Sequence, residues 1–398
     1  MTSNLTPSIR VSYPALFAGI GAVTAYGWGR DRLLEGLLSG VSAVVPHAGY
    51  ELALGPKAYL ATISDEGLRS DGPSRFARAL RSAAREAVND ALARGWKPGP
   101  AVGLVHNVVL GEVDLWQDFY VKDAGRVSVR EFLALMPSTP MSTLMQEFDF
   151  HGPAMNVSAM CASGTAGLLT ASSWLDAGLA SDVLVVSTDV SATPDNVLLF
   201  RNLGVAITDM DPADACRPFQ AGSHGFLIGE ASVGFVLTPD VPGAVERPYA
   251  RLLGGSMSHD AHHVTSIKPD LAQIRRCYVD ALRRAGKRPE AIAYLNAHGP
   301  GTAQCDAAEG AMLDTLLTSA QVFSVKPLAG HCQAAAASVE LAASLLGFER
   351  GVVPAAPQYA AGHPRLLDGV TELRPGATLK SSIGMGGHNS AVVVEPVR

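Results

Sequence analysis

Apolar and polar positions follow helical and extended patterns along most of the chain. The apolar run Ala15–Thr24 predicts a buried strand, and Arg30–Ser39 predicts a short helix after it. Further on, an apolar side chain returns at every fourth position up to Gly95, the spacing of a helix with one buried face. These positions are Phe76, Leu80, Ala84, Val88 and Leu92. A second apolar run, residues 102–110, predicts another buried strand.

The same alternation of strands and helices is found on both sides of a proline-rich break at residues 239–248. Strands are predicted over residues 156–158, 182–189, 231–237, 251–257, 291–296, 322–325 and 391–395. Helices are predicted over residues 164–177, 271–285, 303–317 and 339–348. This alternation indicates two similar α/β layers with helices packed between and outside them. Since no internal repeat is visible in the sequence, the duplication is inferred from the order of elements.

Length and composition favour a cytoplasmic enzyme of two packed units. A chain of 398 residues is too long for one small core. The net charge of −6 argues against nucleic acid as a partner, and no uncharged apolar run of about 18 residues predicts a membrane span. The N-terminus lacks the pattern of a signal peptide. The five cysteines are scattered and form no CxxC pair, which is typical of reduced thiols rather than of disulfides or a zinc site.

Cys161 is the candidate nucleophile. It lies in the segment SAMCASGTAG, between an apolar strand and a helix that begins with small residues. At the start of a helix, the partial positive charge and free backbone N–H groups favour the thiolate, the reactive form of cysteine. Ala162, Ser163 and Gly164 keep the turn small enough for a thioester to approach the backbone. The alternative is a buried structural cysteine, and the motif by itself indicates only covalent chemistry.

Two histidines and a lysine follow predicted strand ends in the second half. His298 lies in the segment YLNAHGPGT, and Lys326 and His331 lie in SVKPLAGHCQ. A single histidine is more often a packing residue, but α/β sheets form their sites at strand ends. Two neutral imidazoles beside a thioester would donate N–H bonds to the enolate left by decarboxylation of a malonyl-type unit. Lys326 would keep one imidazole neutral and oriented, and Glu340 would balance the lysine charge.

These segments resemble the motifs of one enzyme family. The matching segments are AMCASG, CRPFQAGSHGFLIGE, SHDAHHVT, NAHGPGT, SVKPLAGHCQAAAASVE and SSIGMGGHNS. From about residue 13 to the C-terminus, the chain resembles the elongating β-ketoacyl-acyl-carrier-protein synthases, the ketosynthases of fatty acid and polyketide assembly. Six ordered motifs are far more specific than any one of them.

The resemblance implies a thiolase-like α/β fold, in which a duplicated unit gives five layers, α-β-α-β-α, with mixed sheets. Residues 1–12 would form an N-terminal tail, 13–245 the half that carries the nucleophile, and 246–398 the half that carries the histidines and the lysine. The implied reaction is a decarboxylative Claisen-type condensation without a bound cofactor. Its substrates would be carried on the phosphopantetheine arm of an acyl carrier protein. The enzyme would be a homodimer or pair with a ketosynthase-like subunit.

The resemblance also implies catalytic roles for individual residues. Cys161 would accept the acyl group, and His298 and His331 would support decarboxylation and condensation. Lys326 and Glu340 would lie next to the histidines, on the side away from the substrate.

Further residues are implied around the reacting atoms. The backbone amides of Cys161 and Met385 would form the oxyanion hole, with Met385 beside the acyl pocket. Thr302 and Thr265 would contact the phosphopantetheine arm, whereas Asp306 and Glu309 match family positions and are interpreted as structural.

Several positions depart from the family pattern within these motifs. Pro300 and Gly301 stand where a threonine and a serine are usual, residues 334–337 are all alanine where two glycines are usual, and His388 replaces a threonine. These departures favour a specialised natural-product enzyme that performs an unusual condensation or an intramolecular cyclisation. His388 would then be an extra acid–base group, and the alternative is a tolerated loop substitution.

Three functional hypotheses stay open on the sequence. The first is a decarboxylating ketosynthase, and the second is a non-decarboxylating cyclase or acyltransferase that keeps Cys161. The third is a non-catalytic partner subunit like the chain-length factors, which lack the active cysteine. The segment GIGAVTAYG lacks the third glycine of a dinucleotide-binding loop. His259, Asp260, His262 and His263 have metal-ligand side chains but coincide with a family loop that binds no metal.

Overall fold

The structure is a computed structural model that describes residues 14–50, 55, 58–121 and 128–397, so the tail predicted at residues 1–12 lies outside the described residues. The strands are β1 (Ala15–Thr24), β2 (Gly27–Trp28), β3 (Val45–His47), β4 (Ala58–Leu60), β5 (Val102–Asn107), β6 (Ala154–Val157), β7 (Asp182–Asp189), β8 (Ala231–Pro239), β9 (Ala250–His259), β10 (Ile292–Asn296), β11 (Gln321–Phe323), β12 (Val352–Pro354), β13 (Val370–Glu372), β14 (Ala377–Gly384) and β15 (His388–Pro396). The helices are α1 (Arg30–Ser39), α2 (Arg75–Ala93), α3 (Val113–Val121), α4 (Val129–Ala134), α5 (Thr139–Phe148), α6 (Ser163–Asp176), α7 (Pro194–Asn202), α8 (Pro212–Ala215), α9 (Ala272–Arg284), α10 (Ala303–Thr315), α11 (Lys326–Ala329) and α12 (Ala336–Arg350).

Eleven of the described strands form one hydrogen-bonded sheet with a repeat in its topology. The strand order is β11-β10-β14-β15-β9-β1-β8-β7-β5-β6, and β2 pairs with β1. Outward from β1, successive pairs are antiparallel, antiparallel, parallel and parallel, and the same series runs outward from β9. β1 and β9 are joined through Ala15 with Leu252 and Leu16 with Arg251. The duplication inferred from the order of elements is therefore present in the topology.

Helices α6 and α12 form the layer between the two half-sheets. α6 contacts β5, β7 and β8 of one half as well as β9 and β15 of the other, and α12 contacts β8 together with β10, β14 and β15. All residues of α12 from Ala336 to Gly347 are buried, which agrees with this central position. α2 covers β1, β7 and β8 on the outside, and α9 covers β9 and β15. The layers are thus α-β-α-β-α. Among the described residues, no helix is long and apolar enough to cross a membrane.

The apolar pattern located most elements to within a few residues. β1, α1 and β7 begin and end where predicted, whereas β5 ends at Asn107 rather than at residue 110. The strand β14 was missed because Lys380, Ser381 and Ser382 interrupt its apolar run, although all of its residues are buried. Buried polar side chains need polar partners, so this strand depends on contacts that no local pattern reveals.

Glycines in β1 allow helix α2 to pack directly on the strand. A Cβ atom on Gly21 would lie 2.1 Å from the carbonyl oxygen of Ala83, and one on Gly19 would lie 2.2 Å from that of Ala87. The two alanines lie one turn apart on the same face of α2. Small residues on both elements therefore bring the strand and helix backbones together.

We expect the variant Gly21→Ala to lower the free energy of unfolding by about 3 kcal/mol or more, because the new methyl group overlaps backbone atoms that cannot move separately. The matched control is Gly310→Ala in α10, where a Cβ atom has no neighbour within 4 Å. That variant should be neutral or stabilising by about 0.5–1 kcal/mol, since glycine in a helix interior costs backbone entropy. Urea unfolding of both variants measures the difference, and equal stabilities would contradict the close packing.

Candidate active site

A cavity of about 360 Å³ contains the candidate nucleophile and both candidate histidines. Cys161 precedes α6 and His331 precedes α12, so these residues occupy equivalent positions in the two halves of the fold. His298 follows β10. All three side chains are buried. The fold thus brings together residues that are distant in the sequence.

A tight turn holds Cys161 in front of the helix. Met160 has a φ of +50°, in the left-handed region that non-glycine residues seldom adopt. The Ala162 N–H closes the turn by donating to the Ala159 carbonyl oxygen at 3.0 Å. Gly384 packs on the same turn, where a Cβ atom would lie 2.8 Å from that carbonyl oxygen. The left-handed residue and the neighbouring glycine together fix the backbone at Cys161.

Burial dominates the acidity of Cys161. It raises the pKa of the thiol to about 11, while Lys326 and the backbone N–H groups of Met385 and Cys161 lower it by smaller amounts. Burial therefore outweighs the backbone N–H groups that favour the thiolate, and the thiol is protonated near neutral pH. The two N–H groups still donate toward the sulfur. Such donors stabilise negative charge that develops during acyl transfer.

Backbone and side-chain contacts fix the position of His298. Its Nδ1 lies 3.3 Å from the Lys326 Nζ. Its backbone N–H donates to Glu309 Oε1 at 2.8 Å, and the N–H of Gly299 donates to Oε2 of the same carboxylate at 2.7 Å. The hydroxyl of Ser381 also contacts Glu309. Glu309 therefore anchors the loop that carries His298.

His331 is held by its own backbone and by an aromatic ring. Its Nδ1 accepts the N–H of Gln333 at 3.1 Å, and its backbone N–H donates to the Leu227 carbonyl oxygen at 2.7 Å. The imidazole packs against Phe226 with ring centroids 4.5 Å apart. The ring of His298 lies 5.4 Å away and nearly perpendicular, at 82°.

Both imidazoles are neutral hydrogen-bond donors. Burial lowers the pKa of His298 and of His331 well below the ordinary value, and the Lys326 ammonium lowers both further. Each Nδ1 accepts a hydrogen bond, which leaves the ring proton on Nε2. One nitrogen of each ring and the Cys161 sulfur lie within 4.8 Å of one another. Two N–H donors and a nucleophile thus converge on one small volume.

A buried ion cluster lies behind His298. Lys326 contacts Glu340 and the carbonyl oxygen of His298, so the pairing of Lys326 with Glu340 expected from the sequence is present. The cluster includes a second lysine, Lys380, whose Nζ lies 2.6 Å from Glu340 Oε2. No motif in the sequence marks Lys380 as part of the site. Its only local signal is a charged residue within the otherwise small and apolar segment ATLKSSIG.

The remaining candidates lie at different depths of the cavity. Met385, Thr302 and Thr265 all line it. The hydroxyl of Thr302 hydrogen-bonds to the Cys305 thiol, which also lines the cavity. Thr265 is exposed, and its hydroxyl lies 3.2 Å from the His263 Nδ1. The three residues thus line the same cavity as the nucleophile, and Thr302 and Met385 are half-buried.

His388 lies outside this cavity. It pairs with His259 across β15 and β9, and the two rings meet edge to face with centroids 4.9 Å apart. Burial lowers the pKa of His388, and the neighbouring His259 lowers it further. These contacts favour the interpretation of His388 as a tolerated loop substitution over an acid–base role beside Cys161.

The departure at Gly301 has a packing cause. Gly301 has a φ of +79°, and a Cβ atom there would lie 2.6 Å from Ser223 Oγ and 2.7 Å from the Gly225 carbonyl oxygen. Its N–H donates to Asp306 Oδ1 at 3.2 Å, which supports the structural interpretation of Asp306. Pro300 lines the cavity, and nothing in the structure explains this substitution.

The side chains of the site also have the spacing of metal ligands. Within the described part of the chain, three or more donor atoms close enough to share an ion occur only at Cys161, His298 and His331. The segment 259–263 forms no such cluster, and the ring of His259 faces His388 instead.

Two family models match most of the chain. Residues 17–241 match the β-ketoacyl synthase N-terminal domain, and residues 249–360 match the β-ketoacyl synthase C-terminal domain.

Curated relatives agree with these matches. The chain is 32% identical to the tetracenomycin polyketide synthase ketoacyl synthase alpha subunit of Streptomyces glaucescens, over 65% of this chain and 64% of that protein. It is 29% identical to the oxytetracycline polyketide putative β-ketoacyl synthase 1 of Streptomyces rimosus, over 96% of this chain and 97% of the relative. It is 26% identical to the chloroplastic 3-oxoacyl-[acyl-carrier-protein] synthase I of Hordeum vulgare, over 96% and 89%.

Solved structures share the fold. One is a type II polyketide synthase acyl-carrier protein in complex with its ketosynthase bound to the hexaketide, with a TM-score of 0.85, 22% identity, and coverage of 97% of this chain and 100% of that one. Another is the ishigamide ketosynthase/chain length factor, with a TM-score of 0.83, 22% identity, and the same coverage. The predicted thiolase-like α/β fold is confirmed.

Fold and relatives define the class as a condensing enzyme of the acyltransferase type. Within that class, the chain belongs to the β-ketoacyl synthase family of polyketide and fatty acid biosynthesis.

We expect alkylation of Cys161 by iodoacetamide to accelerate about tenfold per pH unit, without levelling off up to about pH 10, because only the thiolate reacts and its fraction grows up to the pKa. The measurement is peptide mass spectrometry of the labelled cysteine, with a short free cysteine peptide as control. That peptide should level off near its ordinary pKa of about 8.5. A plateau for Cys161 below about pH 9 would contradict the raised pKa.

Proposed function

We propose that Cys161 accepts an acyl group from a carrier-protein thioester and that the bound acyl group then condenses with a malonyl-type thioester after decarboxylation. The proposal rests on one observation. The Cys161 sulfur and one nitrogen each of His298 and His331 lie within 4.8 Å of one another. The two rings are neutral donors, which suits the stabilisation of an enolate oxygen.

In the first step, the Cys161 sulfur attacks the carbonyl carbon of the incoming thioester. The carbon–sulfur bond to the pantetheine breaks, and the proton of the Cys161 thiol is transferred to the departing pantetheine sulfur. The backbone N–H groups of Cys161 and Met385 stabilise the oxyanion of the tetrahedral intermediate. The raised thiol pKa makes this proton transfer part of the acylation step.

In the second step, the malonyl thioester loses carbon dioxide, and its electron pair becomes an enolate. The Nε2–H groups of His298 and His331 donate to the enolate oxygen. The enolate carbon attacks the acyl carbon on Cys161, and the carbon–sulfur bond to the enzyme breaks. The product is a β-ketoacyl thioester on the carrier, and the Cys161 thiolate then takes a proton from solvent.

The mouth of the cavity fits the phosphopantetheine arm in this proposal. Thr302 and Thr265 line the route between Cys161 and solvent, and Met385 lies beside the acyl group. The partner is an acyl carrier protein, the substrates need no resident cofactor, and the compartment is the cytoplasm. The proposed halves are residues 13–245 and 246–398, because residues 240–249 connect β8 to β9.

In the part of the chain that the structure describes, no specific contact favours the two alternative functions. A cyclase with His388 as acid–base group would need that ring at the cavity, whereas it packs on His259. A non-catalytic subunit of the chain-length-factor type would not need Cys161 aligned with two neutral histidines.

We also propose a homodimer formed along β6. This strand ends the sheet order, so its outer edge has no strand neighbour among the described residues. Of the adjoining helices, α4 contacts both α3 and α5, and α5 contacts β6. Exposed apolar side chains are grouped on these elements. They include Trp116, Tyr120, Phe132, Leu133 and Met155.

We expect Cys161→Ala to abolish the acyl adduct on the protein, because among the described residues it is the Cys161 sulfur that lies within 4.8 Å of a nitrogen of each histidine. His298→Ala and His331→Ala should still acylate but release carbon dioxide from a malonyl-carrier thioester about 10²-fold more slowly, the usual cost of one lost oxyanion donor. Intact-protein mass spectrometry and radiolabelled carbon dioxide release are the measurements. The matched control is His151→Ala, whose side chain is 73% exposed.

Three results would redirect the proposal. Acylation of Cys161 without carbon dioxide release would favour the cyclase or acyltransferase. Absence of acylation by any carrier thioester would favour a non-catalytic subunit. Unchanged carbon dioxide release in both histidine variants would remove their proposed role.

For the dimer, Met155→Asp is expected to shift the mass measured by sedimentation velocity toward 41.5 kDa, the mass of one chain. An aspartate at this position would place a charge within the apolar contact. Val241→Asp, a substitution at an exposed residue beyond β8, is the control and should leave the mass unchanged. A wild-type protein that sediments as one chain would rule out the dimer.

A further inference from the structure

Glu340 is shared by two fully buried lysines. Its Oε1 contacts the Nζ of Lys326, and its Oε2 lies 2.6 Å from the Nζ of Lys380. None of the three side chains is more than 2% exposed. These three side chains carry one net positive charge, which bulk water cannot screen, and the buried carboxylate of Glu309 opposes it from beside Ser381. A buried lysine at such a position costs free energy unless polar groups surround it.

The two lysines contact carbonyl oxygens of the backbone that leads to His298. The Nζ of Lys380 lies 3.5 Å from the Asn296 carbonyl oxygen and 3.4 Å from that of Ala297. The Nζ of Lys326 contacts the next carbonyl oxygen, that of His298 itself. Three consecutive carbonyl groups at the end of β10 therefore face the two ammonium groups.

Charged and titratable groups approach His298 from every element around it. Lys326 lies on α11, Lys380 on β14, Glu309 on α10 and Glu340 on α12, and His331 and Cys161 precede α12 and α6. After burial, the Coulomb effects of Lys326, His331 and Lys380 are what lower the pKa of His298. Burial lowers the pKa of Lys380 itself, and the ion pair with Glu340 opposes that effect.

We propose that Lys380 is a positioning residue for the condensation reaction: by sharing Glu340 with Lys326, it keeps the Lys326 ammonium directed at the Nδ1 of His298 and so fixes the ring proton on Nε2. Without Lys380, Glu340 would be paired with Lys326 alone, and the charge facing Nδ1 would be neutralised. The proposal rests on the proposed function, in which the Nε2–H of His298 donates to the enolate oxygen.

The charge of Lys380 should shift the acid limb of the pH–rate profile in one direction. A protonated His298 would bind the malonyl carboxylate as an ion pair and oppose the loss of carbon dioxide, so activity falls as pH falls through the His298 pKa. Lys380 lowers this pKa. Removal of its charge raises the pKa and moves the acid limb of the pH–rate profile to higher pH.

The first test compares carbon dioxide release by wild type and Lys380→Met across the acid limb. We expect the limb to move upward by about one pH unit, which makes the variant about tenfold slower at a pH below both limbs. The KM for the malonyl-carrier thioester and the acylation of Cys161 should change less than kcat. An acid limb that coincides with that of the wild type would overturn the proposal.

The double variant Lys380→Met/Glu340→Gln separates charge from packing. It restores the net charge of the cluster, since one cation and one anion are removed together. We expect its acid limb to return toward that of the wild type, although its stability in urea unfolding stays below that of the wild type. A limb that remains displaced would mean that Lys380 acts only through packing. The control is Lys287→Met, which breaks a partly exposed pair with Glu395 and should leave the limb in place.

A measurement on the wild-type enzyme avoids any folding defect in the variants. Nitrogen NMR of ring-labelled histidine, assigned with His298→Gln, should show the His298 proton on Nε2, and a proton on Nδ1 would overturn the proposal. The proposed function is tested independently: it is contradicted if carbon dioxide release does not depend on His298. The positioning role fails when that dependence holds and the Lys380 charge has no effect.

Discussion

A positive charge buried behind His298 is the constraint on which the site depends. Lys326, Glu340 and Lys380 lie in the interior with almost no exposure, where unpaired ions would be strongly unfavourable. The structure compensates with ion pairs and with backbone carbonyl groups at the end of β10. Burial and, after it, the same cations keep the neighbouring imidazoles neutral. Stability of the strand ends and the protonation state of the histidines therefore follow from one set of contacts.

The duplicated topology explains why the reacting groups meet. In each half, a central helix follows the outer parallel strand, and the chain before that helix turns into the middle of the molecule. One half places Cys161 there and the other places His331. Because α6 and α12 pack together between the half-sheets, the two turns approach each other. The nucleophile and one donor thus come from equivalent positions of a repeated unit whose sequences have diverged.

Packing accounts for two of the departures from the family pattern. Gly301 fits against Ser223 and Gly225 without room for a side chain, and His388 pairs with His259 across two strands. Neither residue adds a new functional group beside Cys161. Lys380 matters for another reason, because it brings a second lysine into the buried cluster behind His298.

The sequence by itself determined the alternation of strands and helices, because apolar periodicity is a local property, and β1, α1 and β7 lie where it predicts. Ordered motifs also identified Cys161, His298, His331, Lys326 and Glu340, since their neighbours carry the family pattern. Only the tertiary structure decided the acidity of Cys161, because burial depends on elements distant in the sequence. It also decided the place of Lys380, whose partners Glu340 and Ala297 lie on other elements. Local sequence patterns do not show such contacts, since the desolvation of a thiol and the pairing of buried ions arise only when the chain has folded.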